Sequence, residues 1–396
     1  MTAICIYFQA HQPNRLKPYT FFELGSDHFY EDDVLNAEVL NKVSEKCYLP
    51  ANAMMLDLIK RHGKKFKFAL SLSGVFLEQL ENHRPDVLES FKKLAKTGCV
   101  EFLSETYYHS LSYVFSKGEF DRQVEMHRKK IKEHFGQEPT IFRNTELIYY
   151  NEMAQHLEGL GFKGVLAEGV EWHLNGRTPN QLYKAPNADK IKVLLKNFKL
   201  SDDMAFRFSD HNWPEHPLSV EKYSSWISDS EGEVVNLFMD YETLGEHQWA
   251  DSGIFDFWNK LPEAAFEKGL SFKTPSEIVD ELKVKDTYDV HEPTSWADTE
   301  RDLSAWNGNT MQIEALDKIY GLEKAIHQSS NKDLIHVWSK LQTSDHFYYM
   351  STKFKDDGAV HSYFSPYDSP YNGYIYFMNA LSDLEICLDV EGIEVY

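Results

Sequence analysis

Two carboxylic acids sit where an α/β protein places its chemistry. Glu146 comes just after the short apolar run 140–143, in Arg143-Asn144-Thr145-Glu146-Leu147. Asp240 closes the apolar run 234–239 and opens Asp240-Tyr241-Glu242-Thr243-Leu244-Gly245-Glu246-His247-Gln248-Trp249. Strands that stop at an acid and spill into polar and aromatic residues are how α/β barrels present reactive groups. Two carboxyls flanking one bond can hydrolyse a glycoside: one attacks the anomeric carbon or positions water, and the other protonates the leaving oxygen. The proton donor needs a raised pKa, which partial desolvation and a neighbouring carboxylate such as Glu242 would supply. The competing reading of either acid is a salt-bridged or solvated surface carboxylate behind a core strand.

His11 and Glu101 would join the two acids from strands one and three. A second chemistry is also open: His11, His109, Asp240 and His247 could be metal ligands of the kind used by metal-dependent barrel deacetylases and mannosidases. No His-x-x-x-His spacing supports it, and the metal reading stays second.

These residues need a scaffold, and the hydrophobic pattern supplies one. Short β-rich runs over 3–9, 66–72, 99–104, 140–143, 163–167, 191–196 and 234–239 predict seven strands. Helical periodicity over 50–62, 84–96, 120–135, 151–160 and 254–268 fills most of the gaps, with Gly63, Gly98, Gly136 and Gly161 as stops. Residues 14–49 read as a long acidic loop with short helical pieces, and the stretch between strands six and seven as a Trp-rich loop. Polar exits after strands one, three, four and seven favour a closed or nearly closed barrel with its site on one rim. An open doubly wound sheet would gather ligand groups at one switch point. After Thr287 the pattern turns helical. The predicted organisation is a catalytic barrel over 1–286 and an α-helical domain over 287–396 packed upon it.

Composition narrows the partners. A net charge of −21 over 396 residues disfavours nucleic acid and anionic membranes. Aromatics make up 14% of the chain, and many neighbour polar loops, which suits sugar rings as well as core packing. The four cysteines, Cys5, Cys47, Cys99 and Cys387, lack metal-type spacing and read as reduced thiols. No basic flank with a long apolar run marks a leader, and no run reaches transmembrane length, so a cytoplasmic location is predicted.

At these residues the sequence resembles the α-amylase group of glycoside hydrolase family 57. The likeness is carried by His11-Gln12-Pro13, by 101–109, by Phe142-Arg143-Asn144-Thr145-Glu146-Leu147, by 238–249, by Ser295-Trp296-Ala297-Asp298 through Trp306 and Asn309, and by Thr343-Ser344-Asp345-His346-Phe347-Tyr348. The resemblance implies a (β/α)7 barrel followed by a C-terminal helical domain. It implies action on α-1,4-glucans or maltooligosaccharides by a retaining mechanism without a cofactor or metal. Glu146 would be the nucleophile and Asp240 the general acid/base. His11 and Glu101 would hold hydroxyls of the sugar under attack. Asp345 and Tyr348 would reach over from the helical region, and Trp249 and Trp296 would be stacking platforms. The chain departs from many glucanotransferases of the family at Gln9 and Tyr348, where they carry histidine and tryptophan. A 4-α-glucanotransferase or branching enzyme would nonetheless use the same catalytic residues.

Overall fold

The computed structural model describes residues 2–395. Seven parallel strands form the barrel: β1 (Ala3–Ala10), β2 (Phe68–Leu72), β3 (Val100–Phe102), β4 (Ile141–Arg143), β5 (Gly164–Glu168), β6 (Lys192–Lys196) and β7 (Val234–Asp240). β1 is the hub, with β2 on one side and β7 on the other, Gln9 facing Asp240 in the register. β3 extends the β2 edge, and β5 lies between β4 and β6. Two narrow junctions close the ring. Ser104, just past β3, bridges Phe142 of β4. Asn197, just past β6, donates its N–H to the Asn236 carbonyl of β7 at 2.9 Å. All seven expected strands are present.

Alternation along each strand explains why both faces are buried and why the site lies at one end. In β1, Ile4, Ile6, Phe8 and Ala10 pack outward under the surrounding helices, while Ala3, Cys5 and Tyr7 pack inside the barrel. Tyr7, Ala69, Leu103, Ile141, Leu166, Leu194 and Phe238 form an apolar interior. Two residues further along, the same inward phase delivers Gln9, Ser71, Glu105, Arg143, Glu168, Lys196 and Asp240. The upper layer of the barrel is therefore polar almost all the way round, resting on an apolar floor.

Helices absent from the sequence expectation cover several of the loops. Gly74–His83 follows β2 almost without a break, Ser73 capping it by accepting from the Phe76 N–H. Asp33–Val43, capped by Asp32, is longer than the short helical pieces expected in the loop 14–49. Phe198–Ala205 and Val220–Asp229 occupy the Trp-rich segment, capped by Asn197 and Ser219. The expected boundary at 286/287 falls inside a two-residue strand, Asp286–Thr287, that pairs with Tyr183–Lys184. From Ser304 to Val390 the ordered elements are all helices, ending in the long helix Pro370–Val390. One apolar core runs through Phe120, Phe142, Val165 and Val193 on the barrel side and Leu316, Trp338, Phe347 and Phe377 on the helical side. Among the described residues no helix is long and apolar enough to cross a membrane.

Candidate active site

The polar rim opens into a cleft of about 430 Å³ lined by Glu146, Asp240, His11, His109, Trp296, Asp345 and Tyr348, among others. Its centre is a chain of hydrogen bonds running from the barrel floor to Glu146. Glu105 is fully buried and accepts from Gln9 Nε2 at 3.1 Å, from Ser71 Oγ at 2.8 Å and from His109 Nδ1 at 3.0 Å. The other nitrogen of His109, Nε2, donates to Glu146 Oε1 at 3.0 Å. Trp296 Nε1 donates to Glu146 Oε2 at 2.7 Å, and the Trp296 backbone N–H donates to the Glu146 carbonyl. Both oxygens of Glu146 are thus fixed, while 21% of its side chain still faces the cleft.

This chain sets protonation. Burial opposes a charge on His109, but the two flanking carboxylates carry its pKa up to about 9. Burial likewise opposes the charge on Glu105, yet His109 pulls it down to about 2. For Glu146, burial would lift the carboxyl; His109, Arg143 and the Trp296 N–H outweigh it and hold Glu146 below the ordinary carboxylate range. Asp240 goes the other way. Desolvation first, then the charge of Glu146, raises it to about 6. Two carboxyls of one cleft therefore prefer opposite protonation states below about pH 6, the arrangement that separates a nucleophile from an acid.

The neighbour that raises Asp240 is Glu146 and not Glu242. Glu242 is itself buried, accepts from the Tyr48 hydroxyl, and is pushed up to about 8 by desolvation and by Asp240. A carboxyl held neutral supplies no charge to a neighbour.

Cations frame the other wall. Arg143 is fully buried with its guanidinium 5.0 Å from the Trp296 ring, and Lys196 Nζ lies 5.4 Å from the same ring. Lys196 pairs with Glu168 at 3.2 Å and Asp202 at 3.0 Å. The indole is thereby held flat against the wall with its N–H aimed at Glu146. On the opposite side the His11 ring stacks on His109, centroids 4.0 Å apart and planes at 19°. His11 Nε2 meets Asp345 Oδ2 at 3.0 Å, which ties the helical region to the end of β1.

Of the residues expected here, Glu146, Asp240, His11, Trp296, Asp345 and Tyr348 meet in the cleft. Glu101 and Trp249 do not. Glu101 points into the barrel four residues too early, beneath Leu103, and accepts from the Ser276 N–H beside the N-terminal end of β1. Glu105, not Glu101, is the carboxylate past β3 that joins the hydrogen-bond chain leading to Glu146. Trp249 is 61% exposed outside the cleft, with the Lys46 ammonium 5.2 Å from its ring. The spacing Glu105-x-x-x-His109 after a strand was the available signal for Glu105, with His109 weighed only as a metal ligand; Arg143 carried none beyond its inward phase.

A metal fits the residues poorly. The ligand atoms of His11, His109 and Asp345 lie within 4.8 Å of one another. Yet both nitrogens of His109 face carboxylates, Glu105 and Glu146, at 3.0 Å. His11 spends its nitrogens on Ser73 Oγ and Asp345. His247 lines the cleft against Phe364 rather than joining that group.

Comparisons with known proteins converge on one group. The profile of Glycosyl hydrolase family 57 matches residues 5–291. A Methanocaldococcus jannaschii protein named "Putative alpha-amylase" is 45% identical over 96% of this chain and 84% of its own length. Among solved structures, a GH57-type branching enzyme from Pyrococcus horikoshii superposes with a TM-score of 0.69 at 15% identity, covering 100% of this chain and 96% of the other. An α-amylase from Thermotoga maritima superposes with a TM-score of 0.64 at 14% identity, covering 99% and 94%.

Proposed function

The chain belongs to glycosyl hydrolase family 57, and on that premise we propose that it cleaves α-1,4-glucosidic bonds of starch- or glycogen-type glucans or maltooligosaccharides with retention of configuration. The observation that carries this reading is the opposite shift of two carboxyls in one cleft: Glu146 held ionised, Asp240 raised to about 6.

In the first step the Glu146 carboxylate attacks the anomeric carbon while Asp240 gives its proton to the departing glycosidic oxygen. The C–O bond breaks, the shortened glucan leaves with a free hydroxyl, and the glycosyl unit is esterified to Glu146. Esterification removes the negative charge that raised Asp240, so its pKa falls and the carboxylate becomes a fitting base. Asp240 then takes a proton from water as the water oxygen attacks the anomeric carbon, releasing Glu146. His109 and Trp296 orient the nucleophile throughout, and the pairing of His109 with Glu105 keeps that imidazole in place.

Incubation with maltoheptaose, with products resolved by length and anomer, tests the proposal. Shortened oligosaccharides released as α-anomers are expected. Products longer than the substrate would make the protein a transferase using the same residues, and β-anomers would rule out the covalent route. Loss of activity on treatment with a chelator would favour the metal-dependent class.

A further inference from the structure

One helix of the C-terminal region closes over the cleft without serving the chemistry above. Lys355–Phe364 is held by a single buried anchor. His361, 4% exposed, stacks on the Tyr348 ring with centroids 3.7 Å apart and planes at 18°. Its Nε2 meets Asp298 Oδ2 at 3.1 Å, and Lys353 Nζ reaches the same carboxylate oxygen at 2.7 Å. Thr299 Oγ1 donates to Asp357 Oδ2 at 3.2 Å, adding an exposed contact one turn away.

The anchor orients one face of the helix. Asp357, Val360 and Phe364 recur at helical spacing and line the same cleft as Glu146 and Asp240. Val360 and Phe364 nevertheless remain 41% and 42% exposed. From the barrel side Phe206, just past the helix Phe198–Ala205, lines that cleft at 64% exposure. Apolar side chains on two walls of an open groove, continuous with the reacting centre and accompanied by an acceptor carboxylate, match the C–H faces and hydroxyl edges of a sugar.

We propose that Phe206, Val360 and Phe364 form an outlying sugar subsite, and that the Asp298–His361–Tyr348 anchor positions the helix to complete it. Its occupant is a glucosyl residue of the same chain that threads past Glu146 and Asp240, remote from the bond being cut. This rests on the glucan reading of the cleft and adds that chain-length preference is set by the helix. His361 acts here as a positioning residue, since it touches Tyr348 and Asp298 rather than the reacting atoms.

The test compares kcat/KM on maltoheptaose with that on the shortest maltooligosaccharide the protein cleaves. In Phe364→Ala that ratio is expected to fall about tenfold, the loss of one ring contact. Phe364→Trp should restore it. His361→Ala should lower the ratio as well, acting through KM for the long substrate more than through kcat. Calorimetric binding of maltoheptaose to Glu146→Gln, with and without Phe364→Ala, reads the same affinity difference free of turnover. An unchanged ratio and unchanged affinity in Phe364→Ala, with wild-type turnover intact, overturns the subsite and leaves the activity standing. If the unmodified protein neither binds nor cleaves any glucan, both readings fall.

Discussion

His109 and Glu146 meet through a 3.0 Å hydrogen bond, and both hold backbones in the left-handed region, with φ of 52° and 56°. Neither is glycine, asparagine or aspartate, and each such conformation costs on the order of 1 kcal/mol or more. The two strained residues sit on separate loops, after β3 and after β4, and face one another. Backbone strain is therefore spent on aiming one imidazolium at one carboxylate.

That pairing predicts the effect of removing the indole on its far side. Trp296→Phe keeps a ring beside Arg143 and Lys196 but deletes the N–H that Glu146 Oε2 accepts. Turnover should fall by roughly ten- to a hundredfold, the loss of one charge-assisted hydrogen bond. Steady-state kinetics with a melting curve as a folding control would check it; turnover within twofold of wild type would count against the assignment.

The pH profile should be a bell. The first step needs Asp240 protonated, so kcat/KM is expected to decline as pH rises through about 6. It needs Glu146 ionised, so the acid limb should lie below the ordinary glutamate range. In Glu146→Gln the charge that raises Asp240 is gone, and the Asp240 carboxyl should titrate lower by NMR. An Asp240 titration unmoved by that substitution would break the coupling.

Glu242 gives a sharper contrast. Its carboxyl is neutral below about 8, so Glu242→Gln replaces one uncharged group with another. Turnover at pH 6 should stay within about fivefold of wild type, whereas Asp240→Asn should lose at least about a hundredfold as general acid catalysis is removed. Equal losses in both would mean that the acid has been assigned to the wrong carboxyl.

Stability should follow the Glu105–His109 pair. Glu105 has a folded pKa of about 2 against an ordinary 4.5, so its contribution is present above about 4.5 and is lost as pH falls toward 2. His109, at about 9 against 6.5, contributes fully below 6.5 and loses that contribution as pH rises through 9. Glu105→Gln leaves the buried imidazolium with one carboxylate, Glu146, instead of two and should destabilise the fold by about 1.5–3 kcal/mol near neutrality. Thermal melts across pH would show it, with the acid-side slope flatter in the variant.

Much of this arrangement was legible beforehand, and particular residues show why the rest was not. The seven strands declared themselves by apolar β-rich runs, and Glu146 and Asp240 by standing at strand ends. Strand phase alone does not separate Glu105 from Glu101, since residues 101, 103 and 105 all share the inward phase; what separates them is height, Glu101 lying within β3 and Glu105 beyond its end. The link between Glu105, His109 and Glu146 depends on two left-handed loop residues, which neither composition nor periodicity reveals. Trp249 lies in the right motif but is 61% exposed, past a tight turn at Gly245, whose φ is 110°. The helix Gly74–His83 was hidden because its apolar residues continue those of β2, leaving Ser73 as the sole marker of its start.

The account stands on Glu146 as the group that bonds to sugar. Incubation with a 5-fluoro-α-glucosyl fluoride, which slows release of the glycosyl-enzyme, followed by peptide mass spectrometry, asks this directly. A fluoroglucosyl adduct on the peptide containing Glu146, absent from Glu146→Gln, is the predicted result. An adduct on Asp240 or another side chain would contradict it.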